Sequence, residues 1–183
     1  KAAGSKKKRK RNPTEEEIMA RLARKRAKQN RELESRVLSQ KLAEHGLSLV
    51  EIPADGHCLF AAISDQLKRS ARHGEVIHNY KSLRRLACDY MLKHEDHFKH
   101  FLSLGKDTFE EYCKRIGRTT AWGGQHEIIA LCHALKRNIE VYRHDMTRQL
   151  FPDAEAPYEG PPLRLSYHMH EYSGGEHYNS VVP

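Results

Sequence analysis

The pattern of apolar and polar positions divides the chain into a helix-rich first part and a strand-rich last part. Pro13–Thr14 followed by Glu15–Glu17 reads as a helix start, with acidic side chains on the positive end of the dipole. That helix is expected to run to about Glu44 and to stop at Gly46. Its apolar stripe is narrow (Leu33, Val37, Leu38, Leu42), so it is expected to lie on another surface rather than inside a core. The globular part begins near Leu47 with a short strand, LSLVEI, and a loop, PADGH, broken by Pro53 and Gly56. Leu59, Phe60, Ile63 and Leu67 then follow helical spacing, which puts Cys58 at a helix N-terminus. Ile77, Tyr80, Leu83, Leu86, Ala87, Tyr90 and Met91 line a second helical face, and 98–104 and 108–116 read as shorter helices. WGGQHEIIALCHALKRN reads as a helix opened by Gly123–Gly124. IEVYRH and LRLSYH read as strands joined by a Pro-rich loop, and a Gly turn precedes a last strand from His177 to Val182. The pattern points to an α+β or three-layer α/β domain.

Charge changes the picture at one end only. Residues 1–45 hold 15 Lys/Arg against 6 Asp/Glu, and the rest of the chain holds 17 against 18. The division is therefore a basic, disordered tail and helical arm (1–45) followed by a near-neutral domain (46–183). Lys6–Arg11 is readable as a nuclear-import signal, a solubilising tail or an RNA contact. Basic residues continue to Lys41, which favours phosphate-led, sequence-blind binding by the arm. No run of about 18 apolar residues is present, so no membrane span is read. No apolar stretch follows the basic start, so no secretory signal is read either.

The four cysteines (Cys58, Cys88, Cys113, Cys132) are never closer than 19 residues, which excludes a C-x-x-C zinc or redox motif. They are expected to be free thiols in a reducing, cytoplasmic setting. Cys88, Cys113 and Cys132 fall in helical patterns and are expected in the core. The alternating histidines of HMH (168–170) are read as a strand face, not a metal site, and neither metal nor cofactor is expected. Trp122 is expected to pack beneath the site.

Cys58 is different because of its surroundings. A nucleophilic cysteine needs a lowered pKa, and a helix N-terminus with a neighbouring imidazolium brings a thiol to about 3.5–7.5. It also needs oriented donors for an oxyanion, which the backbone of Asp55, Gly56, His57 and Cys58 could supply around a glycine turn. A histidine must protonate the leaving group. Among 13 histidines, His177 is best placed, because Asn179 shares its face two residues along a strand and could hold the ring.

DGHCLF near the start of the domain, WGG before the middle helix and GEHYNSV near the end resemble, in order and spacing, the ovarian-tumour (OTU) family of cysteine deubiquitinases. The resemblance covers about residues 47–183. It implies a papain-like domain with a central, mostly antiparallel sheet flanked by helices, preceded by a basic helix. It implies Cys58 as nucleophile and His177 as general base and acid. Asp55 falls at the family's catalytic aspartate position in the oxyanion loop, and Asn179 at the histidine-orienting position. Ubiquitin and ubiquitinated proteins are the implied partners. Glu171, Gly174, Gly175 and Glu176 are candidate contacts for ubiquitin's basic tail. The basic extension further resembles the OTU6-like subgroup, associated with the translation machinery, which implies a ribosome or rRNA contact through residues 6–41. An alternative reading is a ribosome- or RNA-docking, ubiquitin-binding adaptor with little catalytic activity.

Overall fold

The computed structural model describes residues 12–71, 76–145, 147–153, 155, 157–172 and 175–183; of residues 170–172 and 175 it describes the backbone. Lys6–Arg11 and Gly174 lie outside the described residues.

Helix α1 (Glu15–Glu44) starts where the acidic triplet predicts. Thr14 and Glu17 form a reciprocal capping box, with Glu17 Oε2 accepting from Thr14 N–H at 2.8 Å. Its first half is exposed, including Ile18, Met19 and Leu22. Its second half packs on the sheet, where Leu38 and Leu42 are fully buried with Tyr142 and Val181. Leu33, expected on that stripe, is 51% exposed, and Glu34 takes the buried position instead, accepting the Met169 N–H at 2.8 Å.

Strand β1 (Ser48–Val50) is shorter than predicted because the Ile52 N–H leaves the ladder for a side chain, Asn179. α2 (Cys58–Ser70) opens at Cys58, as the apolar spacing predicts. α3 (Tyr80–Lys93) begins three residues later than Ile77, because Asn79 caps it through the Ser82 N–H (2.9 Å) and leaves Ile77 half exposed. No helix forms at 98–104. A four-residue α4 (Glu95–Phe98) precedes that segment; Phe98 is buried while Phe101 is 73% exposed, so these apolar residues share no helical face. α5 (Phe109–Arg118) carries a second capping box, Thr108 with Glu111. α6 (Gln125–Leu135) is opened by Gly124, whose N–H donates to the Glu127 carboxylate at 2.6 Å.

Strands β2 (Ile139–Tyr142), β3 (Arg148–Phe151), β4 (Leu163–Tyr172) and β5 (Gly175–Val182) complete a five-stranded sheet of order β1-β5-β4-β2-β3. β2–β4 is parallel and the other pairings are antiparallel, which is the mostly antiparallel sheet expected. β3 was not legible beforehand, because its residues Arg148–Gln149–Leu150–Phe151 lack alternation.

Side chains alternate across the sheet. Ile139, Val141, Leu163, Leu165 and Tyr178 face the main core with α2, α3, α5 and α6. Tyr142 and Val181 face α1. The result is three layers, with α1 on one face and the helical core on the other. Cys88, Cys113 and Cys132 are buried as expected. Among the described residues, no helix is long and apolar enough to cross a membrane.

Candidate active site

The site forms where the N-terminus of α2 meets β5. Gly56 has φ +79°, and a Cβ there would sit 2.4 Å from the Thr120 carbonyl oxygen, so this turn admits only glycine. Asp55 Oδ1 accepts the His57 N–H at 3.0 Å, which closes the turn. α2 then starts with no side-chain cap, unlike α1, α3 and α5. Its first N–H groups are therefore left for another acceptor. Cys58 is 7% exposed and packs with Tyr178, the residue between His177 and Asn179.

The thiol pKa does not fall as a helix N-terminus alone would dictate. Burial pushes Cys58 up from its ordinary value, opposed by the backbone N–H groups of Tyr178, Leu59 and Cys58 itself, while Asp55 adds a smaller upward push. The His57 N–H, one expected oxyanion donor, is already taken by Asp55. The Cys58 and Leu59 N–H groups at the start of α2, together with the Tyr178 N–H from β5, favour an anion at this position.

On β5, His177 Nε2 lies 3.0 Å from Asn179 Oδ1. That oxygen also accepts the Ile52 N–H at 2.8 Å. A backbone N–H can only donate, so the amide oxygen is fixed and His177 Nε2 must carry a proton. Nδ1 is then the nitrogen that can take one. Asn179 Nδ2 points the other way and donates to His168 Nε2 at 3.3 Å, which also faces Ser166 Oγ at 3.0 Å. His168 pairs directly with His177 across β4–β5. Burial lowers its pKa to about 4, with Glu34 opposing and His177 adding to the fall, so it is neutral and the Asn179 amide and Ser166 hydroxyl share its single Nε2 lone pair. A cleft of about 590 Å³, lined by Ser35 and Ser39 of α1, Ile52, Pro53, His177 and Asn179, opens beside this chain of bonds.

Asp55, Cys58, His177 and Asn179 are thus brought into one region. Of the expected tail contacts, Glu176 is exposed and accepts from the Tyr167 hydroxyl, and Gly175 opens β5 opposite Tyr172. Gly174 and the side chain of Glu171 lie outside the described residues. Trp122 does not pack beneath the site and is 44% exposed. Gly123 makes the close approach instead, since a Cβ there would lie 2.8 Å from the Phe60 ring. Sequence reasoning passed over His168 and Arg84. His168 was legible only as half of an alternating strand. Arg84 lies on the same helical face as Ala87, Cys88 and Met91, and that spacing is the signal that could have found it.

The chain matches the family described as OTU-like cysteine protease over residues 53–178. It is 41% identical to Deubiquitinase OTUD6B of Mus musculus over 159 residues, covering 83% of this chain and 52% of that protein. It is 38% identical to Ubiquitin thioesterase otu2 of Schizosaccharomyces pombe, covering 81% and 50%. The chain therefore spans about half the length of these curated relatives. The OTUD1 OTU domain superposes with a TM-score of 0.63 at 22% identity, covering 84% of this chain and 97% of that one. An OTU domain solved in complex with ubiquitin superposes at 0.55 with 20% identity, covering 74% and 69%. The Cys58 thiol lies at an uncapped helix N-terminus against the backbone of Tyr178, next in sequence to a histidine held by an amide, and the chain belongs to the OTU-like cysteine protease family.

Proposed function

We propose that this chain is a cysteine isopeptidase that cleaves ubiquitin from lysine side chains. The observation that carries the reading is the fixed tautomer of His177, set by the 3.0 Å bond to Asn179 and the 2.8 Å bond from Ile52 to the same oxygen. With Nε2 protonated, Nδ1 takes the proton of the Cys58 thiol. The thiolate attacks the carbonyl carbon of ubiquitin's C-terminal glycine, and the Cys58 and Leu59 N–H groups receive the oxyanion. His177 then returns its proton to the departing lysine amine, leaving a thioester. A water activated by His177 hydrolyses the thioester and restores the thiol. Asp55 acts through the turn it closes. The narrow tail of ubiquitin passes between the loop before Cys58 and the segment YSGGE, with Glu171 and Glu176 as acidic partners.

The test is hydrolysis of a ubiquitin–lysine isopeptide substrate. Cys58→Ala abolishes turnover, and His177→Ala lowers it by at least about 10²-fold. Turnover retained in either variant contradicts the reading.

The exposed first half of α1 supports a second role, docking to ribosomal RNA or another polyanion. Arg21, Arg24, Lys25, Arg26 and Lys28 are all exposed there. Because Leu38 and Leu42 are buried against the sheet, the arm is tested by replacing these cations with Gln, not by deleting the helix. Loss of co-sedimentation with ribosomes, with turnover unchanged, is the expected result; unchanged co-sedimentation contradicts it. An adaptor with little catalysis would bind ubiquitin and fail the hydrolysis test.

A further inference from the structure

Arg84 is a guanidinium of α3 that is only 2% exposed. It makes three hydrogen bonds: Nη2 to the Gly56 carbonyl at 2.5 Å, Nε to His57 Nδ1 at 3.0 Å and Nη1 to the Ile116 carbonyl at 2.6 Å. None of these acceptors is a carboxylate. The guanidinium also lies 4.4 Å from the centroid of the Phe60 ring, two residues after the nucleophile. A cation removed from water without a carboxylate partner is costly, so this arrangement needs a reason other than stability.

The acceptors supply it, because two of the three belong to the residues immediately before Cys58. In a trans peptide the C=O and N–H point in opposite directions. The Gly56–His57 unit is held at both ends, its C=O by Arg84 and its N–H by Asp55 Oδ1. Rotating that unit would break both bonds. Packing does not do this work from the outer side. A cavity of about 860 Å³, lined by His57, Tyr80, Arg84 and Thr120 among others, opens beside the turn.

The bond to His57 also fixes that ring. An Arg Nε–H can only donate, so His57 Nδ1 accepts and the imidazole is neutral. Burial and then the Arg84 charge lower its pKa, Lys81 adds to the fall, and Asp55 opposes it. The ring packs against Tyr80 of α3 in a tilted arrangement, with centroids 4.6 Å apart. Cys88, Cys58, Glu127 and Asp55 are the acidic groups that face the guanidinium and oppose the effect of its burial.

We infer that Arg84 is a positioning residue for the nucleophile: by clamping the Gly56–His57 peptide to α3 and to the end of α5, it holds the start of α2 so that the Cys58 and Leu59 N–H groups converge on the sulfur. This rests on Cys58 being the nucleophile, but not on ubiquitin being the substrate.

The experiment is alkylation of Cys58 by iodoacetamide at neutral pH, mapped by mass spectrometry, on the full chain and on Arg84→Lys, Arg84→Gln and His57→Phe. A clamp that aligns donors on the sulfur raises thiolate reactivity. Its loss slows alkylation of Cys58, by about tenfold in the two Arg84 variants and about threefold in His57→Phe. A purely structural arginine gives the opposite sign, because loosening the turn exposes a thiol that is now 7% exposed. Alkylation that is unchanged or faster in folded variants overturns the inference. If the Arg84 variants fail to fold, His57→Phe decides, since it leaves the arginine in place and removes one anchor. Slower alkylation with no wild-type hydrolysis of ubiquitin conjugates would leave Arg84 standing and defeat the functional reading alone.

Discussion

At the residue scale, the chemistry depends on which way one amide points. Asn179 serves Ile52 and His177 with its oxygen and His168 with its nitrogen, so three partners fix a single orientation. Asn179→Ala should therefore lower kcat by about 10²-fold with the fold intact, measured by isopeptide turnover and thermal melting. His168 acts one step further out. Its lowered pKa makes it a pH-dependent stabiliser with a defined sign. The unfolded chain binds a proton near pH 6.5 and the folded one near 4, so stability falls as pH drops through that window. Relative to His168→Gln, the wild type should lose roughly 3 kcal/mol of unfolding free energy between those limits. Denaturant titrations at several pH values check this, and a pH-independent difference contradicts it. The placement of Cys58 at a helix start and of His177 and Asn179 on one strand face was legible from helical spacing and strand alternation. His168 was not, because a bond between neighbouring strands depends on register, which the sequence does not display.

At the element scale, glycines set the close approaches around the site. Gly123 brings the segment before α6 against Phe60 and Leu59, with no room for a methyl group. Gly123→Ala should destabilise the protein by about 1–3 kcal/mol, seen as a lower denaturant midpoint. WGG was legible as a helix opener, but the partner of its glycine was not, and that is why Trp122 was expected in the wrong role. α1 shows a similar split. Its caps and length were readable, while the choice of Glu34 over Leu33 for the buried position depends on the Met169 N–H that β4 presents. Leu42→Ala should cost about 2–5 kcal/mol, since its side chain is fully buried against the sheet. A change within error would mean that the second half of α1 is detachable.

At the scale of the whole molecule, early helices and late strands pointed to an α+β or three-layer α/β domain, and the mostly antiparallel sheet came from the family resemblance, not from the pattern. The missed strand β3 and the misplaced helix near Phe98 had weak local patterns and were decided by tertiary packing. The proposed docking role and the candidate active site meet in α1. Its second half borders the cleft beside His177, and its first half, after the acidic triplet Glu15–Glu17, exposes Arg21, Arg24, Lys25, Arg26 and Lys28 with Ile18, Met19 and Leu22. Binding through about four phosphate contacts should weaken roughly 10²-fold between about 50 and 200 mM salt, and a flat response would remove the electrostatic account. The central claim is that Cys58, alone among four thiols, is the nucleophile for a ubiquitin C-terminus. It is tested most directly by reacting the chain with ubiquitin bearing a thiol-reactive C-terminal group and mapping the adduct. A single adduct at Cys58, absent in Cys58→Ala, is the predicted result; no adduct on folded protein, or an adduct on Cys88, Cys113 or Cys132, would contradict it.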